Sequence, residues 1–369
     1  MIRWSIKSLF SEGLGLVASC IGVAFAFLLV IFFIAIFAGE SDRITAYPKQ
    51  VNADVWVMQK GVANMHMAVS QLWDWKEDRI RSIEGVKTTE SILYLNAVIN
   101  AGGRPWFTYI VGLTKAAQYS GPWDMHSGKR IPNRGEVVIP DVLSRLTGLN
   151  IGDSMQIVDD TFTIVGLSSG TFSMANSIVF INYNDLADIM SAEGSISYVM
   201  VRANEGVDTG QLAQRIYNEL DKVSALPQKV FIENDHHVAM QMGVEIIALM
   251  TFIGSGLALV IVAFTSHSFV SRKKRELAIA KAMGFKNRHI YTGVLMQAML
   301  LTFFGFMLAV LFAWLLFPLV TILAPEISLK ITINALIILA VSAFFVASLA
   351  ALWPARQVAK VDPVSVFHG

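Results

Sequence analysis

Met58 stands shortly before a Met65-His66-Met67 triplet. Thioether sulfur and imidazole nitrogen are donors that a soft metal ion or a haem iron accepts, so the triplet is a candidate ligand set and a low-ranked candidate binding site. The same residues serve equally as flexible apolar filler, which is the commoner use of such side chains. Glu245, with Met242 close by, sits at the outer end of a long apolar run, where an ionisable group can mark a pathway. It is read either as lining a lateral opening for an amphiphile or as a water-exposed interfacial carboxylate. His267, near the other end of that run, reads as interfacial. Trp73, Trp75 and Trp106 offer apolar contact surface, although buried packing is the expectation. Gly121 to Lys129 holds a Gly-Lys pair, but the spacing is not that of a phosphate loop and no Ser or Thr follows Lys129. There is no nucleophile elbow and no metal-ligand cluster of standard spacing. Binding or coupling is therefore expected, not catalysis, with no cofactor of the chain's own.

The elements that position these residues are dominated by lipid-like sequence. The chain has 369 residues, 54% hydrophobic and 15% charged, against about 25% charged in soluble domains. Charge is almost missing from four stretches and ordinary between about 40 and 240. A net charge of +1 gives no case for nucleic acid. The lone Cys20 permits no intrachain disulfide.

A bilayer core of about 30 Å needs about 20 apolar helical residues. The runs 14–39, 243–270, 290–320 and 333–353 meet that length. The first is too long for a signal-peptide core and lacks a convincing cleavage site, so an uncleaved anchor is expected. Arg272, Lys273, Lys274, Arg275, Lys281, Lys286 and Arg288 crowd the loop 271–289, whereas the loop between the last two runs has only Lys330. With Arg3 and Lys7 at the start and Arg356 and Lys360 in the tail 354–369, the basic segments fall on one side if the chain crosses four times. The positive-inside rule then places both termini and the 271–289 loop in the cytoplasm and residues 40–240 outside. Residues 1–13 carry Ile2, Ile6 and Leu9 at helical spacing, with Trp4 and Phe10, and read as an interfacial helix.

The outer segment alternates strand-like runs (51–58, 91–99, 108–113, 136–140, 154–158, 161–166, 177–181) with helix-like ones (141–146, 184–190, 210–223). Asp141 reads as a helix cap, and Gly148 and Gly152 mark turns. The fold class is therefore membrane α-helical, four transmembrane helices, with an inserted α+β extracytoplasmic domain.

At 271–290 the sequence reads SRKKRELAIAKAMGFKNRHI. It resembles the Arg-x-x-Glu-(Ile/Leu)-x-x-x-(Arg/Lys)-Ala-(Leu/Met)-Gly segment of FtsX-like permeases, the MacB family of ABC transporters. Glu276, Leu277, Lys281, Ala282, Met283 and Gly284 match it, and Lys273 beside Arg272 stands where the pattern has Arg. The tail, Trp353-Pro354-Ala355-Arg356 through Val361-Asp362-Pro363-Val364, resembles the family's ending. Gly135 to Ile139, Gly148 to Asp153 and Phe162 to Gly166 resemble its periplasmic core.

The resemblance implies a permease subunit in a bacterial cytoplasmic (inner) membrane. A separate cytoplasmic ATPase subunit would bind ATP and Mg, since this chain has no Walker motif whereas MacB itself carries a fused ATPase. It implies a coupling helix in which Arg272, Lys273, Arg275, Glu276, Leu277, Ala280, Lys281, Met283 and Gly284 meet that ATPase. Leu277, Ala280 and Met283 form its apolar stripe. The plain alternative is a basic loop that sets topology and touches anionic lipid. A second permease subunit, read as another copy, and a periplasmic adaptor are the further partners implied. Gly254-Ser255-Gly256 and Ser342, Ala343, Ala347, Ser348 and Ala350 permit close helix contact, between copies or within one subunit. The implied activity is export or extraction of a drug, lipid, lipoprotein, peptide or haem. The runner-up is FtsX-like signalling to a cell-wall hydrolase.

Overall fold

The computed structural model describes residues 13–66, 69–174, 177–239, 245–272, 276, 279, 281 and 283–360. Of the interfacial helix expected over residues 1–13, residues 1–12 lie outside the described residues, as does the end of the tail from 361. Helix α1 (Leu14–Ile44) opens the described chain. The outer domain follows as α2 (Ala46–Gln50), β1 (Val55–Gln59), β2 (Leu72–Trp73), α3 (Trp75–Arg81), β3 (Val86–Ala101) and β4 (Arg104–Leu113). It continues through β5 (Met125–Gly128), β6 (Glu136–Pro140), α4 (Asp141–Thr147), β7 (Ser154–Ile157), β8 (Asp160–Ser168) and β9 (Ser177–Asn182). It closes with α5 (Tyr183–Met190), β10 (Ser195–Ile196), β11 (Tyr198–Ala203), α6 (Thr209–Glu219), β12 (Val223–Pro227) and α7 (Gln228–Ala239). Three long helices end the described residues: α8 (Glu245–Arg272), α9 (Asn287–Leu323) and α10 (Ile333–Lys360).

Two compact units result. One takes the chain up to Ala38 with Ile246–Leu323 and the residues from Leu329 onward; the other takes Gly39–Glu245 and Ala324–Ser328. The insert expected at 40–240 thus gains a remote piece, the turn between α9 and α10. Spans two and three also run further than expected, to Arg272 and from Asn287 to Leu323, and α10 continues helically to Lys360.

Among the described residues, the first unit holds four helices long and apolar enough to cross a membrane, with α1 the most apolar at a mean hydropathy of 3.1. Phe25, Phe252, Phe264, Trp314 and Phe345 point outward. Such rings on every helix suit hydrocarbon, where helices already satisfy their own backbone. The interior is built from small residues. Ala343, Ala347 and Ala351 recur at i, i+4, i+8 on α10, and Ala298, Ala309 and Ala313 face inward on α9. A Cβ on Gly305 would stand 2.5 Å from a methyl of Val23, so α1 and α9 meet at glycine. A Cβ on Gly254 would stand 2.9 Å from the Phe33 ring. Much of the small-residue surface noted in the sequence is therefore spent inside one subunit.

The outer unit is a mixed sheet ordered β12-β1-β11-β3-β4-β9-β6-β8-β5, with β7 paired to β3 and β8, plus a small β2–β10 ribbon. Strand side chains alternate between faces, and the alternation divides the core. Val55 and Val57 of β1, with Val199 and Val201 of β11, pack under α3 and α6. Trp56, Met58, Tyr198 and Met200 go to the opposite face with Tyr47 of α2 and Phe231 of α7. Trp56 and Phe231 stack at 4.6 Å. A third cluster lies under α4 and α5, around Leu143 and Leu186. Asp141 is not the expected cap. Pro140, still extended, takes the cap position without a side-chain bond, and Asp141 pairs with Arg145 one turn on at 3.2 Å.

Candidate functional site

The loop between α8 and α9 carries the expected coupling residues. Lys273, Arg275, Leu277 and Ala280 lie outside the described residues. Glu276, Ile279 and Lys281 have helical backbone, and a turn follows at Met283 and Gly284. Gly284 stops this helix in the left-handed region, at φ 89°, with its N–H donating to the Lys281 carbonyl at 3.0 Å. The turn leaves Met283 65% exposed, with Ile279 and Phe285 also in the open. Three apolar side chains are thus displayed beside Lys286 and Arg288. The Nη2 of Arg272 donates to Ser19 Oγ at 2.9 Å, tying the end of α8 to α1 within the membrane unit.

Met65 and His66 are deeply buried in the outer unit, and Met67 lies outside the described residues. Asp235 of α7 explains their placement. Its Oδ1 accepts from the N–H of Met65 at 2.8 Å and of His66 at 3.3 Å, and meets the His66 Nδ1 at 2.8 Å. Desolvating that carboxylate is costly, and these charge-assisted contacts offset it. Tyr94 Oη donates to the Met65 carbonyl at 3.1 Å, and Tyr198 Oη to that of Asn64 at 3.0 Å. Burial pushes the Tyr94 phenol well above its usual range. These bonds hold Met65 and His66 in the core of the outer unit. Asp235 was not singled out from sequence, because its partners lie in a distant loop.

Glu245 is exposed at the start of α8, and Met242 lies outside the described residues. Burial of Trp73 and Trp75 is overturned: they are 60% and 54% exposed, because β2 belongs to a two-stranded ribbon and α3 turns Ile80 inward instead. Trp106 is half-buried, donating its Nε1 to the Ala101 carbonyl at 3.1 Å. In the membrane unit a groove runs between α1, α8 and α10, lined by Phe27, Val30, Ala258, Ile338 and Ser342 among others. The hydroxyls of Ser255 and Ser342 donate to the Thr251 and Ile338 carbonyls on their own helices, at 2.6 and 2.8 Å, so the lining is in effect apolar.

Two sequence profiles account for most of the chain. That of the MacB-like periplasmic core domain matches residues 16–218, and that of the FtsX-like permease C-terminal domain matches residues 248–363. The chain belongs to the FtsX-like permeases with a MacB-like periplasmic core domain, and is an ABC transporter permease of that type. Relatives agree. An uncharacterized ABC transporter permease of Methanocaldococcus jannaschii is 22% identical over 60% of this chain and 58% of its own length. An uncharacterized ABC transporter permease of Mycobacterium tuberculosis is 20% identical over 86% of this chain and 85% of its own. HrtB of Staphylococcus epidermidis, provisionally named a hemin transport system permease protein, is 21% identical over 67% of each chain.

Proposed function

We propose that this chain couples ATP hydrolysis in a separate cytoplasmic ATPase, where ATP and Mg are bound, to conformational change in the outer unit. The work done is export or extraction of a hydrophobic or amphiphilic compound across or from the membrane. The observation that carries the coupling is the exposed trio Ile279, Met283 and Phe285 on the turn between two membrane helices. A short helix with an apolar face seats in a groove of a partner protein. Lys286 and Arg288 alongside suit the cytoplasmic side. The apolar groove between α1, α8 and α10 supports a cargo with a hydrocarbon or flat aromatic body. Hemin, in the name of one relative, is one such compound. A pair of permease subunits in a bacterial inner membrane, both termini inside, completes the reading.

The test is Met283→Asp in the full chain, expressed with its ATPase and reconstituted in nanodiscs. A charge forced into an apolar seat without a partner costs about 3 kcal/mol or more. ATPase copurification and permease-stimulated hydrolysis should therefore fall more than about tenfold, while Met283→Leu keeps both. Unchanged hydrolysis in Met283→Asp would remove the proposed seat.

A further inference from the structure

Glu40 lies near the C-terminal end of α1 and is 1% exposed. Both features are costly. A carboxylate there opposes the helix dipole, and its burial must be offset by donors. The donors come from two remote segments. Oε2 accepts from the N–H of Met174, in the loop before β9, at 2.9 Å, and Oε1 accepts from the N–H of Ser328, in the turn joining α9 to α10, at 2.9 Å. The next residue makes a third tie: Ser41 Oγ lies 2.7 Å from Nε2 of His236 on α7. Two consecutive side chains on one helix end thus hold three segments that sequence separates widely.

We propose that Glu40, seconded by Ser41, is a positioning residue for coupling: the end of α1 carries the 324–328 turn and the Met174 loop with it as one piece. The claim rests on the proposed coupling function but has a geometry of its own. Both contacts are to backbone N–H, one on each carboxylate oxygen, so a residue with two acceptor oxygens at position 40 serves both. Glutamine offers one carbonyl oxygen and a second group that can only donate. One of the two N–H groups must then lose its partner, with little change in shape.

Amide hydrogen exchange on the full chain with its ATPase in nanodiscs tests this. In Glu40→Gln, exchange at Met174 or Ser328 should quicken by about tenfold or more, with the β3–β4 hairpin unchanged. In the unaltered protein, ATP and Mg should shift exchange in the 169–174 and 324–328 segments together. In Glu40→Gln only one should respond, while hydrolysis continues. Ser328→Pro, which has no N–H to give, is the second variant; it should free the 324–328 turn and leave Met174 protected. Unchanged exchange in Glu40→Gln, or joint responses to ATP persisting in both variants, would overturn the proposal. The Met283→Asp result bears on the ATPase seat alone, so either idea can fail without the other.

Discussion

His236 sits where its neighbours disfavour charge. Burial, then Lys49, hold its imidazole below the ordinary 6.5, outweighing the pull of Asp235 in the other direction, and His237 adds to the lowering. A base with a lowered folded pKa contributes stability that is whole above its unfolded value and is lost as pH falls through the folded one. The outer unit should therefore melt at lower temperature at about pH 5.5 than at about pH 7.5, and His236→Gln, which keeps an acceptor for Ser41, should flatten part of that slope in a thermal scan. Gly305 makes a steric prediction at the same scale. Alanine there pushes into Val23, and overpacking of this kind costs about 1–3 kcal/mol. Gly305→Ala should lower the melting temperature in detergent, and adding Val23→Ala should recover most of the loss.

Among the elements, the β3–β4 hairpin is fixed by its turn. Ala101 pairs with Arg104, and the two residues between, Gly102 and Gly103, have φ 60° and 75°. Positive φ at both central residues is the type I′ geometry that suits strand twist and calls for glycine. The two glycines are not equivalent. A Cβ on Gly102 would stand 2.8 Å from Thr147 Cβ, whereas one on Gly103 meets nothing. Gly103→Ala should cost only the backbone term, about 1 kcal/mol, and Gly102→Ala distinctly more, as read by denaturant unfolding of the full chain. The Thr147 contact is not legible in the sequence, because α4 reaches the hairpin only in the folded domain. Trp73 and Trp75 make the converse point. Their size argued for burial, but the face a short ribbon turns outward is set by its pairing, and local composition does not encode it.

At the scale of the whole molecule, sidedness is testable with the native cysteine removed. In a Cys20→Ser background, Trp73→Cys should react with an impermeant maleimide in intact cells, and Met283→Cys only after permeabilisation. The reverse pattern would invert the proposed orientation. The four membrane helices, the placing of an α+β domain between the first and second, and the family motifs were all determined by sequence alone. Apolar length, charge distribution and short motifs are signals that run along the chain, so no partner residue is needed to detect them. What only the tertiary structure decided are the pairings over long separations. Asp235 clamps a loop 169 residues away, and Glu40 binds a turn 288 residues away. Ala324–Ser328 joins the outer unit through that distant carboxylate. A lone acidic residue in a sequence carries no mark of which amide will satisfy it; the fold supplies that amide by bringing remote backbone to it.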